Sequence, residues 1–152
     1  GCGTLRGAMP ARDILRPIVR TALERDGWTI TADPLVLKIG RRNMFIDLGA
    51  ERVISAERGA ERIAVEVKSF LGESDLVELE AALGQYVLYE RVLRKQQPGR
   101  TLWLAVPSHA WSGIFREAVG DLLIEDGMVR LIVVNEEREE IERWIPSTSG
   151  AP

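Results

Sequence analysis

Two short apolar segments carry ionisable groups where a buried strand has no natural place for them: Phe45-Ile46-Asp47-Leu48-Gly49 and Ala64-Val65-Glu66-Val67-Lys68. Alternating Val, Ile, Leu and Phe predict strands that lie against a core. An unpaired carboxylate or ammonium in such a strand costs several kcal/mol, so a compensating partner must stand beside it. A turn centred near Glu57-Arg58 would place Asp47 roughly opposite Glu66 to Lys68 in an antiparallel pair. Glu66 and Lys68, two residues apart, then point to one face. Two acids and a lysine on one sheet edge are what a divalent cation and an activated water require. The alternative is structural: Glu66 and Lys68 form a half-exposed ion pair and Asp47 finds its partner elsewhere.

Size and composition allow one domain. The chain has 152 residues, 45% of them hydrophobic and 28% charged, an ordinary globular balance. We expect a lead-in at 1–8 that is a cloning remnant or upstream extension, a single domain at 9–146, and a disordered tail at 147–152. No apolar run approaches the roughly 20 residues of a membrane span. The single Cys2 and the lack of a signal-peptide pattern point to a reducing, cytoplasmic setting. A net charge of −3 argues against strong sequence-independent nucleic-acid binding. The charge is uneven, however: Lys38, Arg41 and Arg42 cluster, as do Arg91, Arg94, Lys95 and Arg100, so one basic cleft remains compatible with an acidic chain.

Along the chain, helical spacing over Pro10 to Asp26 predicts a first helix, kinked or delayed by Pro17. After β-prone Trp28 to Thr31, three runs predict an antiparallel meander: Leu35 to Ile39, Met44 to Ser55 and Arg62 to Phe70. Ser74 caps a helix from Asp75 to about Lys95, stopped by Pro98-Gly99. Thr101 to Val106 reads as a buried strand, Trp111 to Glu125 as a helix, and Met128 to Val134 and Ile141 to Ile145 as closing strands. The order predicts a mixed sheet flanked by helices, in the α/β to α+β range. His109 lacks any metal or triad pattern around it and reads as a surface residue.

At the charged strands the chain resembles the PD-(D/E)xK nuclease superfamily, with Asp47 as the first acid and Glu66-Val67-Lys68 as the ExK element. Ile46 stands where the literal motif has proline. In this reading Asp47, Glu66 and the carbonyl of Val67 hold Mg²⁺ or Mn²⁺, and Lys68 serves the attacking water. Gln85 and Tyr89, four apart on the next helix, resemble the Gln-x-x-x-Tyr motif that orients site and nucleic acid in RecB-like members. Asp13 on the first helix is a further candidate acid, although its spacing puts it opposite the apolar stripe.

A narrower resemblance runs through Met9-Pro10-Ala11-Arg12-Asp13, Asp26-Gly27-Trp28, Ile46-Asp47-Leu48-Gly49-Ala50-Glu51, Ala64-Val65-Glu66-Val67-Lys68-Ser69-Phe70-Leu71-Gly72 and Ala82-Leu83-Gly84-Gln85-Tyr86. These segments look together like the XisH family of fdxN-element excision controlling factors. The resemblance implies a restriction-endonuclease-like fold and DNA as partner. It further implies a role in programmed excision in cyanobacteria and relatives, beside a site-specific recombinase and a small XisI-like protein. A homodimer is compatible with it. A catalytically silent nuclease fold that recruits the recombinase or the XisI-like partner is the competing expectation.

Overall fold

The computed structural model describes residues 11–147 apart from Arg58, with side chains from residue 14 onward. The lead-in expected at 1–8 and the tail from 148 lie outside the described residues, as does the side chain of Asp13. The elements are α1 (Ala11–Arg25), β1 (Thr29–Ala32), β2 (Leu35–Ile39), β3 (Arg42–Ile46), β4 (Leu48–Ser55), β5 (Gly59–Val67), α2 (Asp75–Gln96), β6 (Arg100–Pro107), α3 (Ser108–Ser112), a 3₁₀ turn (Ile114–Arg116), α4 (Ala118–Glu125), β7 (Leu131–Asn135) and β8 (Glu140–Ile145).

A six-stranded sheet in the order β1-β4-β5-β6-β7-β8 forms the centre. Its middle is parallel, with β5 beside β6 and β6 beside β7, and its flanks are antiparallel. The second half of β5 and most of β6 and β7 are buried, because α2 and the α3–α4 segment that link them must cross over the sheet. Period-two alternation divides β5 between two cores. Ile63, Val65 and Val67 pack with Leu15, Val19 and Leu23 of α1, while Ala64 packs with Leu79, Ala82 and Tyr86 of α2. On the α1 face, Trp144 lies 5.6 Å from Trp28 and 4.9 Å from Trp103, ring centre to ring centre. The result is the expected mixed α+β, nuclease-like sheet with helices on both faces. No helix among the described residues is long and apolar enough to cross a membrane.

Four expectations are corrected. The meander is not continuous: β2 and β3 form a separate two-stranded sheet, and β1 takes the place beside β4. The run Met44 to Ser55 breaks at Asp47, which occupies a bend between β3 and β4, and β5 ends at Val67 rather than Phe70. The helix expected over Trp111 to Glu125 is three pieces. Gly113 ends the first, and Gly120 lets α4 sit against the 3₁₀ turn so closely that a Cβ there would lie 2.3 Å from the Ile114 carbonyl oxygen. Finally, α1 runs unbroken through Pro17, whose missing N–H removes one bond from a helix held by its apolar face.

Candidate metal centre

The β4–β5 register pairs Leu48 with Val65, so the next step along the hairpin sets Asp47 opposite Glu66. Here β3 peels away into its own sheet, and the ladder loses its main-chain partner. The two acids take over. The Val67 N–H donates to Asp47 Oδ2 at 2.8 Å, and the Asp47 N–H donates to Glu66 Oε1 at 3.3 Å. Each carboxylate thereby satisfies a backbone donor of the opposite strand, which an apolar side chain could not do. Both side chains are nearly inaccessible, at 6% for Asp47 and 3% for Glu66, and they are the buried charged residues among those described.

The second oxygen of each acid lies near a cation. Asp47 Oδ1 is 3.9 Å from Arg16 Nη1, and Glu66 Oε2 is 4.0 Å from Lys68 Nζ. These separations exceed hydrogen-bond reach, so the attraction is Coulombic. It does not neutralise the pair. Burial first, and the facing Asp47 second, push the Glu66 carboxyl up to about 8, with Lys68 pulling only partly the other way. Two adjacent acids in a dry position call for a proton or for more positive charge than two distant side chains provide.

Lys68 is set by the backbone around it. Its N–H donates to the Ala105 carbonyl at 3.0 Å, extending the β5–β6 pairing one residue past the strand. The chain then turns sharply at Phe70, whose φ of 55° is uncommon for a residue with a side chain. Phe70 is held there by edge contact with Phe115, ring centres 5.5 Å apart, and by His109, whose Nε2 donates to its carbonyl at 3.0 Å. His109 is accordingly an exposed residue of α3 with a structural contact. After Phe70, the Gly72 N–H donates to Glu78 on the first turns of α2.

Asp47, Glu66, Val67 and Lys68 thus come together, Val67 through its N–H. Gln85 and Tyr89 follow Glu78 along α2. Gln85 Oε1 is buried with no hydrogen-bond partner among the described residues, and half-buried Tyr89 packs at the core margin. Tyr86, on the same helix, makes a structural polar contact: its hydroxyl donates to the Leu102 carbonyl at 3.0 Å and accepts the Arg130 N–H at 3.1 Å.

Arg16 and Asp33 drew no assignment from the sequence. Arg16 hydrogen-bonds Asp33, which also receives Arg20 at 2.6 Å. Partial burial raises the Asp33 carboxyl, but the bonds from Arg20 and Arg16 outweigh it and hold the group below its usual range. Asp33 therefore tethers the guanidinium that faces Asp47. The available signal was the Asp33-Pro34 turn just before β2, but only the docking of α1 over one face of the sheet, against β1, β5 and β8, brings Arg16 there.

Two hard carboxylate oxygens within one buried pair fit a small divalent cation such as Mg²⁺ or Mn²⁺. Among the described residues no third His, Cys, Asp or Glu joins them, so a main-chain carbonyl or water would complete the shell.

The fold is that of a mixed α+β, nuclease-like domain. The family profile described as XisH protein matches residues 9–142. The crystal structure of an XisH family protein from Nostoc punctiforme PCC 73102 is 40% identical with a TM-score of 0.78, over 87% of this chain and 98% of that one. That of a fdxN element excision controlling factor protein from Anabaena variabilis is 41% identical with a TM-score of 0.79, over 88% and 99%. Comparison with curated proteins gives no match. The chain belongs to the XisH family.

Proposed function

We propose that this protein is a DNA-acting excision-control factor that uses Asp47, Glu66 and Lys68 as a PD-(D/E)xK-type phosphodiesterase site. The observation that supports it is the buried, directly opposed pair Asp47 and Glu66, a like-charge contact whose two main-chain hydrogen bonds do not require two facing carboxylates. Asp47 and Glu66, with the Val67 carbonyl, would hold Mg²⁺ or Mn²⁺, which when bound acidifies a water and neutralises charge developing on phosphate. Lys68, beside Glu66 and one-fifth exposed, orients the attacking water and stabilises the anionic phosphate as it forms. Arg16, tied to Asp33, fixes the direction of Asp47. The apolar strands around the acids keep bulk water from screening these charges. A site-specific recombinase and a small XisI-like protein are the proposed partners, and a cytoplasmic location accompanies them.

The test is nicking of supercoiled DNA with Mg²⁺ or Mn²⁺. Lys68→Ala is expected to lower the rate roughly 10²–10³-fold, the usual loss for one electrostatic group at the reacting phosphate. A second reading rests on the bonds from Val67 N–H and Asp47 N–H, which let the same acids serve as terminators of the sheet in a silent module that recruits its partners. Wild-type protein that binds DNA or partner yet never cuts with either metal would select that reading.

A further inference from the structure

The cations of this acidic chain are not spread evenly between paired and unpaired. Arg16, Arg20, Arg52, Arg62, Arg94 and Arg130 hold carboxylates. Arg25 and Arg100 hold main-chain carbonyls, Lys68 faces Glu66, and Arg116 and Arg143 lie over the Trp111 ring. Among the described residues, the basic side chains left without such a partner are Lys38, Arg41, Arg42, Arg91, Lys95 and Arg138. All but Arg138 belong to two places, the tip of the β2–β3 hairpin and the last two turns of α2. Those two places are one surface: Gln96, at the end of α2, donates to the Lys38 carbonyl.

A helix dipole accounts for basic residues at the end of α2, but not for three more at a neighbouring hairpin tip. Arg91 and Lys95, four apart on the helix, repel one another when nothing lies between them. The hairpin's outward face adds exposed Val36 and Phe45, which are cross-strand partners. We infer that the β2–β3 tip and the end of α2 form one binding surface for the phosphate backbone of duplex DNA. The choice of DNA among polyanions rests on the proposed function. The geometry joins them, because β3 runs from Arg42 straight to the residue before Asp47. At about 3.3 Å per residue the tip stands roughly 16 Å from the acids. That is about five base steps along a duplex, so the surface holds the backbone while the acid pair meets a phosphate further along.

The surface is tested by fluorescence anisotropy with a labelled 20-base-pair duplex in EDTA, where no cutting can contribute. Five phosphate contacts predict an affinity that falls several hundred-fold between about 50 and 200 mM salt. Lys38→Ala/Arg41→Ala/Arg42→Ala should reduce the salt slope by roughly three, and Arg91→Ala/Lys95→Ala by roughly two. Arg138→Ala, the unpartnered cation elsewhere, should bind as wild type. Unchanged melting temperatures keep the comparison on binding, since all five side chains are exposed. Wild-type-like binding in both multiple variants, or an equal loss in Arg138→Ala, overturns the inference. So does polyglutamate of equal charge displacing the duplex at lower concentration, which would assign the surface to an acidic protein. Binding lost in these variants with Mn²⁺ affinity intact leaves the acid pair standing. Cutting lost in Lys68→Ala with duplex binding intact leaves this surface standing.

Discussion

The β4–β5 hairpin carries charge at both ends, and the two ends obey opposite rules. Toward its turn, Glu51 faces Arg62 and Arg52 faces Glu61, with ion pairs of 2.6 and 3.0 Å. These are opposite charges, directly opposed and partly exposed, the arrangement that steadies an antiparallel ladder. At the far end Asp47, in the bend just before β4, faces Glu66 of β5: two acids, in a position almost closed to water. The hairpin plainly accommodates complementary charges. Where it sets like against like, and buries them, the acids gain two main-chain hydrogen bonds but no charge complement.

The sharpest way to break that contrast is to remove one acid. The Glu66 carboxyl is raised from 4.5 to about 8 in the fold, so between those values the unfolded chain releases a proton that the native state keeps. Its contribution to stability is full below pH ~4.5 and lost as pH rises toward ~8, amounting to roughly 3–5 kcal/mol for the metal-free protein. Glu66→Gln should flatten this slope between pH 5 and 9 in thermal melts and raise the melting temperature at pH 8. Mg²⁺ or Mn²⁺ should stabilise wild type at pH 8 and leave Glu66→Gln unmoved. A variant with the wild-type pH slope would mean that the two acids do not compete for charge.

Asp47 separates charge from hydrogen bonding. Asp47→Asn keeps an oxygen for the Val67 N–H and removes the repulsion, so it should match or exceed wild type in denaturant melts. Asp47→Ala strands a buried N–H and should lose about 1–3 kcal/mol. Both should fail to bind the cation. Equal stability of the two variants would show that the sheet end does not depend on the carboxylate.

The sequence carried the contacts between neighbouring strands better than it carried the shape of the chain at the site. Alternation and turn position brought Asp47 roughly opposite Glu66 to Lys68, and the register narrows this to Glu66, because antiparallel pairing is local arithmetic. What alternation could not reveal is that Asp47 lies in a break. A run of apolar residues through Phe45, Ile46 and Leu48 reads as one strand, although β3 and β4 belong to different sheets. The Trp111 to Glu125 run failed for a related reason: amphipathic spacing survives across Gly113 and Gly120, where close packing, not propensity, decides the backbone. Arg16 was hidden by distance, since helix docking brings together residues that no periodicity links.

The smallest expected effect lies at the complementary end. Glu61→Gln keeps the shape of the side chain and removes only its charge from Arg52, whose guanidinium also rests 4.6 Å from the centre of the Trp28 ring. Arg52 is 21% exposed and Glu61 17%, so solvent reaches the pair only in part. The loss should be about 1 kcal/mol in denaturant melts at low salt and should shrink, without vanishing, near 1 M salt, where the screening length is only about 3 Å. Arg52→Ala should cost more than Glu61→Gln and keep a larger remainder at high salt, because it also removes the packing on Trp28. If Glu61→Gln instead proved as consequential as Glu66→Gln, and equally dependent on pH, the two ends of the hairpin would not differ in kind. Charge at the acid end would then be ordinary sheet chemistry.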